Sequence, residues 1–470
     1  MIFTSFEFVA FFATVLLIRS CITRLETEKW FLIVVSYLFY MSWSVPCVTL
    51  IMFTSGVDYW VGLKLGQTES QPKRRALLII SIVLNLGLLG FFKYTNFLID
   101  TTWWGLGLLG VKLAPVHYKI LLPVGISFFT FQSMTYTIDV YRRHIEPCRK
   151  ARDFFLFAAF FPQLVAGPIV RASSFLPQLA KRVRGSAADI EYGLVLFVLG
   201  AVKKMTLSDQ IAGHVDAIFA NPSSFTGLSL LLGVLGYAIQ IYCDFSGYSD
   251  MAIGCARIMG YRFPENFAMP YSSINITEFW RRWHMSLSSW LRDYLYIPLG
   301  GNRLGVGRTY VNLMLVMLIG GLWHGASWNF VIWGAIHGAG LCVHKLWLTH
   351  RPAGMRTPKW LSYPVSHTIT LAVVLIGWIF FRAQTFDSAG TYLVRLFSWQ
   401  TTGVQLVPPQ ILIAIAVVVL VHLCISKDRP WVDRITQSSW PLRIAAYTAL
   451  ALILVCLGAT DASPFIYFQF

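Results

Sequence analysis

Apolar positions in this chain come in repeated runs close to the roughly 20 residues that a helix needs to cross a bilayer, and the pattern predicts an all-α, polytopic integral membrane protein. The first run, FEFVAFFATVLLIRS, has no basic residue ahead of it and no small-residue cleavage site behind it, so a retained helix is expected rather than a removed leader. Arg19, Arg24 and Lys29 follow it, which orients that end towards the cytoplasm. Residues 30–45 and 46–63, divided at Pro46, form an out-and-back pair, because Lys64, Lys73, Arg74 and Arg75 again mark the inside. A helix over 76–98 leads to an interfacial segment at Trp103 and Trp104, and one over 120–138 returns to the basic stretch YRRHIEPCRKAR.

The next run, FFLFAAFFPQLVAGPIV, is flanked by basic residues on both sides and broken by Pro162, Gly167 and Pro168. A full crossing would put one basic cluster outside, so residues 153–168 are expected to form a re-entrant hairpin, which the bilayer tolerates only where protein or water covers the backbone. Later runs lie at 190–202, 226–243, 309–323, 327–348, 367–382, 409–425 and 444–460. The count is roughly 11 crossings plus re-entrant pieces, in one membrane-embedded domain over 1–470 with no internal repeat. One detail disturbs the pattern: Lys203 and Lys204 fall where a simple count puts the outside.

Composition supports this picture and removes alternatives. The 470 residues are 56% hydrophobic and 13% charged, with 38 Lys and Arg against 22 Asp and Glu. In a membrane protein such an excess first reflects cytoplasmic basic loops, and no nucleic-acid motif accompanies it. The eight cysteines are scattered, make no C-x-x-C pair and sit mostly inside apolar runs, so neither a disulfide framework nor a metal site is expected.

Ionisable groups at membrane depth cost about 2.5–3.5 kcal/mol each on insertion scales, which makes them functional candidates. Three stretches carry them: QIYCDFSGYSDMAIG with Asp244 and Asp250, EFWRRWHMSLSSWLRDYLYIPLGG with His284, and GGLWHGASWNFVIWGAIHGAG with His324 and His337. A buried, neutral His324 among glycines can take a proton from a hydroxyl or thiol, although a histidine satisfied by a neighbouring carbonyl fits the same position. His337 is expected on a different helix face, and His284, between arginines and tryptophans, equally suits an interfacial amphipathic helix without chemistry. No H-E-x-x-H, G-x-S-x-G or P-loop is present.

The stretches YCDFSGYSDMAIG, PENFAMPYSSINITEFWRRWHMSLSSWLRDYLYIPLGGNR and GGLWHGASWNFVIWGAIHG, within about 237–345, together with the final FIYFQF, resemble the signatures of the bacterial alginate O-acetyltransferase branch of the membrane-bound O-acyltransferase family. The resemblance implies a helical membrane body with re-entrant pieces in the bacterial inner membrane. It matches His324 to the family's invariant histidine, as base or transient acetyl carrier, and His284 to its second polar position, orienting or polarising a thioester. It further implies acetyl-CoA as donor, with Arg281, Arg282, Arg292 and Arg303 as a cationic mouth for its phosphates; snorkelling to membrane lipids explains the same arginines. It also implies a periplasmic SGNH-type acetyltransferase as partner and a secreted polysaccharide as acceptor: alginate or a similar exopolysaccharide, with cellulose or peptidoglycan as alternatives. Teichoic-acid D-alanylation fits the His284 segment less well, and a transporter or channel is the reading from another class.

Overall fold

The computed structural model describes residues 1–111, 114–164, 167–351, 359–424, 431–459 and 465–468. Among them every named element is helical, and the one β-type pairing is an isolated bridge between Phe225 and Val404. The chain divides into two units, Met1–Gly193 with Cys255–Pro264, and Leu194–Gly254 with Glu265–Phe470.

The first unit begins with α1 (Phe6–Cys21), α2 (Leu25–Met41) and α3 (Val45–Gln67), the last opening at Pro46, where the missing N–H costs nothing. A continuous helical run then covers 38 residues, α4 (Gln71–Leu89) and α5 (Thr95–Leu108) joined by a π-turn at Gly90–Tyr94, well beyond the 76–98 expected. After α6 (Ile126–Tyr141), the segment expected to be re-entrant splits into α7 (Ala151–Ala159) and a four-residue α8 (Phe161–Leu164), followed by α9 (Ala172–Leu179). Nine helical residues rise only about 14 Å, less than half the hydrocarbon thickness, so α7 cannot cross by itself. Residues 165 and 166 of that segment lie outside the described residues.

Helix α10 (Ala187–Val202) leads into the second unit, which continues through a π-turn at Lys203–Ser208, α11 (Asp209–Ala220) and the 32-residue α12 (Gly227–Ile258). The motif region is broken into α13 (Ile276–Arg282), α14 (Met285–Leu291) and a π-turn at Arg292–Tyr296. It is followed by α15 (Val306–His324), α16 (Trp328–His350), α17 (Lys359–Arg382), α18 (Phe386–Phe397), α19 (Pro409–Cys424), α20 (Trp431–Thr436) and α21 (Trp440–Leu457). A single amphipathic helix through His284, one of the expectations above, is therefore corrected.

Seven helical runs among the described residues are long and apolar enough to span a membrane, against the roughly 11 expected. The difference has a physical source: α1, α2, α6 and α19 have only 16 or 17 residues each, about 25 Å of rise, and fall just short of the hydrocarbon thickness. Outward-facing apolar side chains such as Leu17, Val83, Leu420 and Val455 are largely exposed, as expected for surfaces that meet lipid rather than water.

The apparent anomaly at Lys203 and Lys204 resolves inside the second unit. Lys203 Nζ lies 2.5 Å from Asp250, and Lys204 Nζ bridges Asp209 at 2.7 Å and Asp244 at 2.6 Å. These lysines are paired charges within the protein, so they do not report which side of the membrane the loop occupies.

Candidate functional site

Helices α15 and α16 meet at backbone distance because glycine occupies the contact. A Cβ on Gly321 would lie 2.2 Å from the Phe330 carbonyl oxygen, and one on Gly334 would lie 2.3 Å from that of Met317. Such small-residue seams let membrane helices pack closely without a hydrophobic driving force. At the end of α15 the chain reaches His324, then leaves helical geometry at Gly325, where a Cβ would strike the Phe330 ring. His324 and His337 thus stand on successive helices, not on two faces of one, which corrects the spacing argument made from sequence.

His324 is buried within an aromatic cage: Trp323 and Trp333 each at 4.9 Å between ring centroids, Phe381 at 5.3 Å and Tyr467 at 5.4 Å. His284 comes to 6.4 Å from the same ring, so the two histidines singled out 40 positions apart share one site. His337 is fully buried behind the Trp333 indole at 4.8 Å, between Phe279 and Trp280, and has no hydrogen-bond partner among the described residues.

The backbone at His284 is left-handed, with φ +44° and ψ +54°, a conformation costing an L-residue on the order of 1–3 kcal/mol that persists only where surroundings enforce it. Asn266 supplies the enforcement. Its carbonyl takes the Met285 N–H at 2.9 Å, and its side-chain oxygen takes the Ser286 N–H at 3.1 Å and the Ser286 hydroxyl at 2.9 Å. The same oxygen lies 3.2 Å from His284 Nδ1. Because the Ser286 N–H can only donate, the Asn266 group facing it is the oxygen; Nδ1 must then carry the imidazole proton, leaving the lone pair on Nε2. Burial pushes the His284 imidazole down to about 3, which keeps it neutral.

The four arginines separate into two kinds. Arg282 is buried and turned inwards, ion-paired to Glu278 on its own helix and donating to the Ser272 hydroxyl at 2.7 Å. Its guanidinium is engaged by these partners, whereas the other three arginines face outwards. Arg281 and Arg303 are exposed, while Arg292, also exposed, is held at 2.6 Å by Asp293, which raises its pKa further. Two residues of this region, Asn266 and Tyr467, were not singled out from the sequence, and Lys204 was noticed only for its charge. Asn266 and Tyr467 lay within quoted motifs, and the misfit of Lys204 with the charge count was the available signal.

A buried imidazole pair walled by aromatic rings suits acyl transfer, where water must be kept from an activated ester. No group of three His, Cys, Asp or Glu side chains among the described residues is arranged to hold a metal. The sequence pattern of the membrane-bound O-acyltransferase family matches residues 149–383, which include both histidines. The chain belongs to that family and is a multi-pass membrane O-acyltransferase. It is 38% identical to a probable alginate O-acetylase of Pseudomonas putida across the whole of both chains, and 41% identical to the Pseudomonas aeruginosa counterpart over 85% of this chain and 76% of that one. A peptidoglycan O-acetyltransferase of Helicobacter pylori is 33% identical over 94% of this chain and 91% of its own length.

Proposed function

We propose that the protein moves acetyl groups from acetyl-CoA on the cytoplasmic side of the bacterial inner membrane towards a secreted polysaccharide, alginate or a similar exopolysaccharide, acting as one membrane-embedded domain over 1–470. The observation that carries this reading is the approach of His284 to His324 at 6.4 Å inside an aromatic cage. In the proposed step the His324 imidazole takes the proton of an acceptor hydroxyl, and the oxygen attacks the thioester carbonyl carbon. The C–S bond then breaks, and the departing CoA sulfur takes the proton back from the imidazolium. His284, with its proton fixed on Nδ1, orients or polarises the reacting group. Transient acetylation of His324 itself is the variant of this chemistry that leaves a covalent mark.

Arg281, Arg292 and Arg303 are the exposed cations left to meet the CoA phosphates. A periplasmic SGNH-type acetyltransferase would complete delivery to the polymer. Peptidoglycan is the second acceptor supported by a specific observation, the Helicobacter relative matched over nearly its whole length. The test is purified protein in liposomes with acetyl-labelled acetyl-CoA. Free CoA and labelled acceptor or protein are the expected products. Movement of an intact solute without CoA release would instead indicate a transporter.

A further inference from the structure

The cage around the histidines is closed by a segment that arrives from the far end of the chain, and one carboxylate receives it. Asp244 is buried on α12. One of its oxygens meets Lys204 Nζ at 2.6 Å, and the other accepts the Ile466 N–H at 2.8 Å, across 222 positions of sequence. Ile466 opens a short 3₁₀ turn, Ile466–Phe468, whose first amide has no partner within the turn, so Asp244 satisfies a donor that would otherwise be stranded.

The neighbour of this carboxylate, Phe245, turns the hydrogen bond into a docking site. Its ring lies 4.6 Å from His284, 4.6 Å from Tyr467 and 5.4 Å from Phe465, while Tyr248 meets Phe465 at 4.7 Å. The π-turn that carries Lys204 also holds the approach to the segment: the Met205 carbonyl accepts the Ala459 N–H at 3.0 Å, and Gln210, one residue into α11, donates to the Leu457 carbonyl at 2.9 Å.

We infer that Asp244, oriented by Lys204, is a positioning residue that docks Phe465–Phe468 onto Phe245 and so sets Tyr467 as the wall of the site beside His324. The inference rests on the reading of His324 as the base. A carboxylate suits the task because it accepts from two directions at once, and the ammonium on one oxygen fixes where the other points. A buried lysine without that pair would be costly, so charge and docking are coupled.

Two charge-free triple variants of the full chain separate docking from charge burial. Both carry K204M and D209N; one adds D244N, which keeps an oxygen for the Ile466 N–H, and the other adds D244L, which does not. In the liposome assay the D244N triple variant, which keeps the acceptor oxygen but loses the ammonium that orients it, should fall roughly 3–10-fold below the parent in kcat. The D244L triple variant should lose roughly 10–100-fold in kcat with the KM for acetyl-CoA unchanged, the cost of a wall displaced from the reacting atoms. Equal turnover in the two variants overturns the inference. Maleimide labelling of I466C, in a background without native cysteines, gives a readout apart from activity: slow labelling with D244N and fast labelling with D244L are expected, and equal rates overturn docking. His324→Ala measured alongside tests the base separately, since its failure to lose activity would leave the labelling contrast untouched.

Discussion

The two units differ in how they surround their buried ionisable groups. In the first, each such group is surrounded by matched partners: Arg19 donates to Glu28 at 2.7 Å and to the carbonyls of Met259 and Val183 at 2.6 and 2.7 Å, and Lys29 lies 3.0 Å from Asp153. Asp58, fully buried on α3, receives the Ser81 hydroxyl at 2.6 Å and the Asn85 amide at 3.0 Å. In the second unit charges are paired as well, Lys204 with Asp209 and Asp244 among them, but three imidazoles are walled mainly by rings. Saturated polar groups fix helices and are chemically quiet, whereas an imidazole among aromatic rings stands in a dry setting suited to proton transfer. Substitutions in the first unit should therefore change stability, and those around the second unit's cage should change turnover.

The largest effect is expected at His324. Replacement with Ala should lower kcat by roughly 10²–10⁴-fold while the protein stays folded and inserted, and Asn, which cannot take the proton, should be nearly as inactive. Acetyl release from labelled acetyl-CoA checks it; substantial activity in the Asn variant would make His324 structural. His337→Ala, behind Trp333, should show the milder loss.

Asn266→Leu comes next. It removes the acceptor that fixes His284, and turnover should fall about tenfold, the equivalent of ~1.4 kcal/mol, or one net hydrogen bond. An unchanged rate would mean that the left-handed backbone alone positions the ring.

Exchanging Arg281 and Arg292 for Gln should raise the KM for acetyl-CoA about fivefold with little change in kcat, because contacts distant from the thioester serve ground and transition states alike. Arg282 is left out of this test, since its loss would strip Glu278 of its partner. A steady KM would assign these arginines to lipid headgroups.

The smallest effect on turnover belongs to the first unit. Asp58→Asn should leave kcat within about twofold, under ~0.5 kcal/mol, yet lower the thermal unfolding midpoint in detergent. Loss of turnover without loss of stability would erase the contrast between the units.

A pH series sharpens the same contrast. The His284 pKa is depressed from about 6.5 to about 3 by burial, so between those values the unfolded chain binds the extra proton. Stability contributed by the neutral ring is complete above pH 6.5 and declines as pH falls, by at most ~1.4 kcal/mol per unit. His284→Gln should flatten that part of the unfolding curve between pH 7 and 5; an unaltered slope would assign the sensitivity to other groups.

Much of the helical order was legible because a long apolar run has few ways to satisfy its backbone in lipid, and Pro46 and the glycines around His324 marked breaks that the structure contains. The site was half legible. His284 and His324 stood out as ionisable residues in apolar surroundings, and the motif resemblance gave them roles to test. The arginines could not be sorted from the sequence, because composition cannot distinguish a cation facing outwards from one folded back onto Glu278 four residues away, as Arg282 is.

What the sequence determined by itself is the material: all-helical segments, their breaks, and two histidines expensive enough at membrane depth to need a reason. Only the tertiary structure decided that Asn266 turns His284 towards His324, that Lys204 pairs inwards, and that Tyr467 closes the cage from the end of the chain. Hydropathy and spacing are local quantities, set by neighbours within a few turns. A hydrogen bond across 222 positions depends on where whole helices come to rest, which no local period encodes.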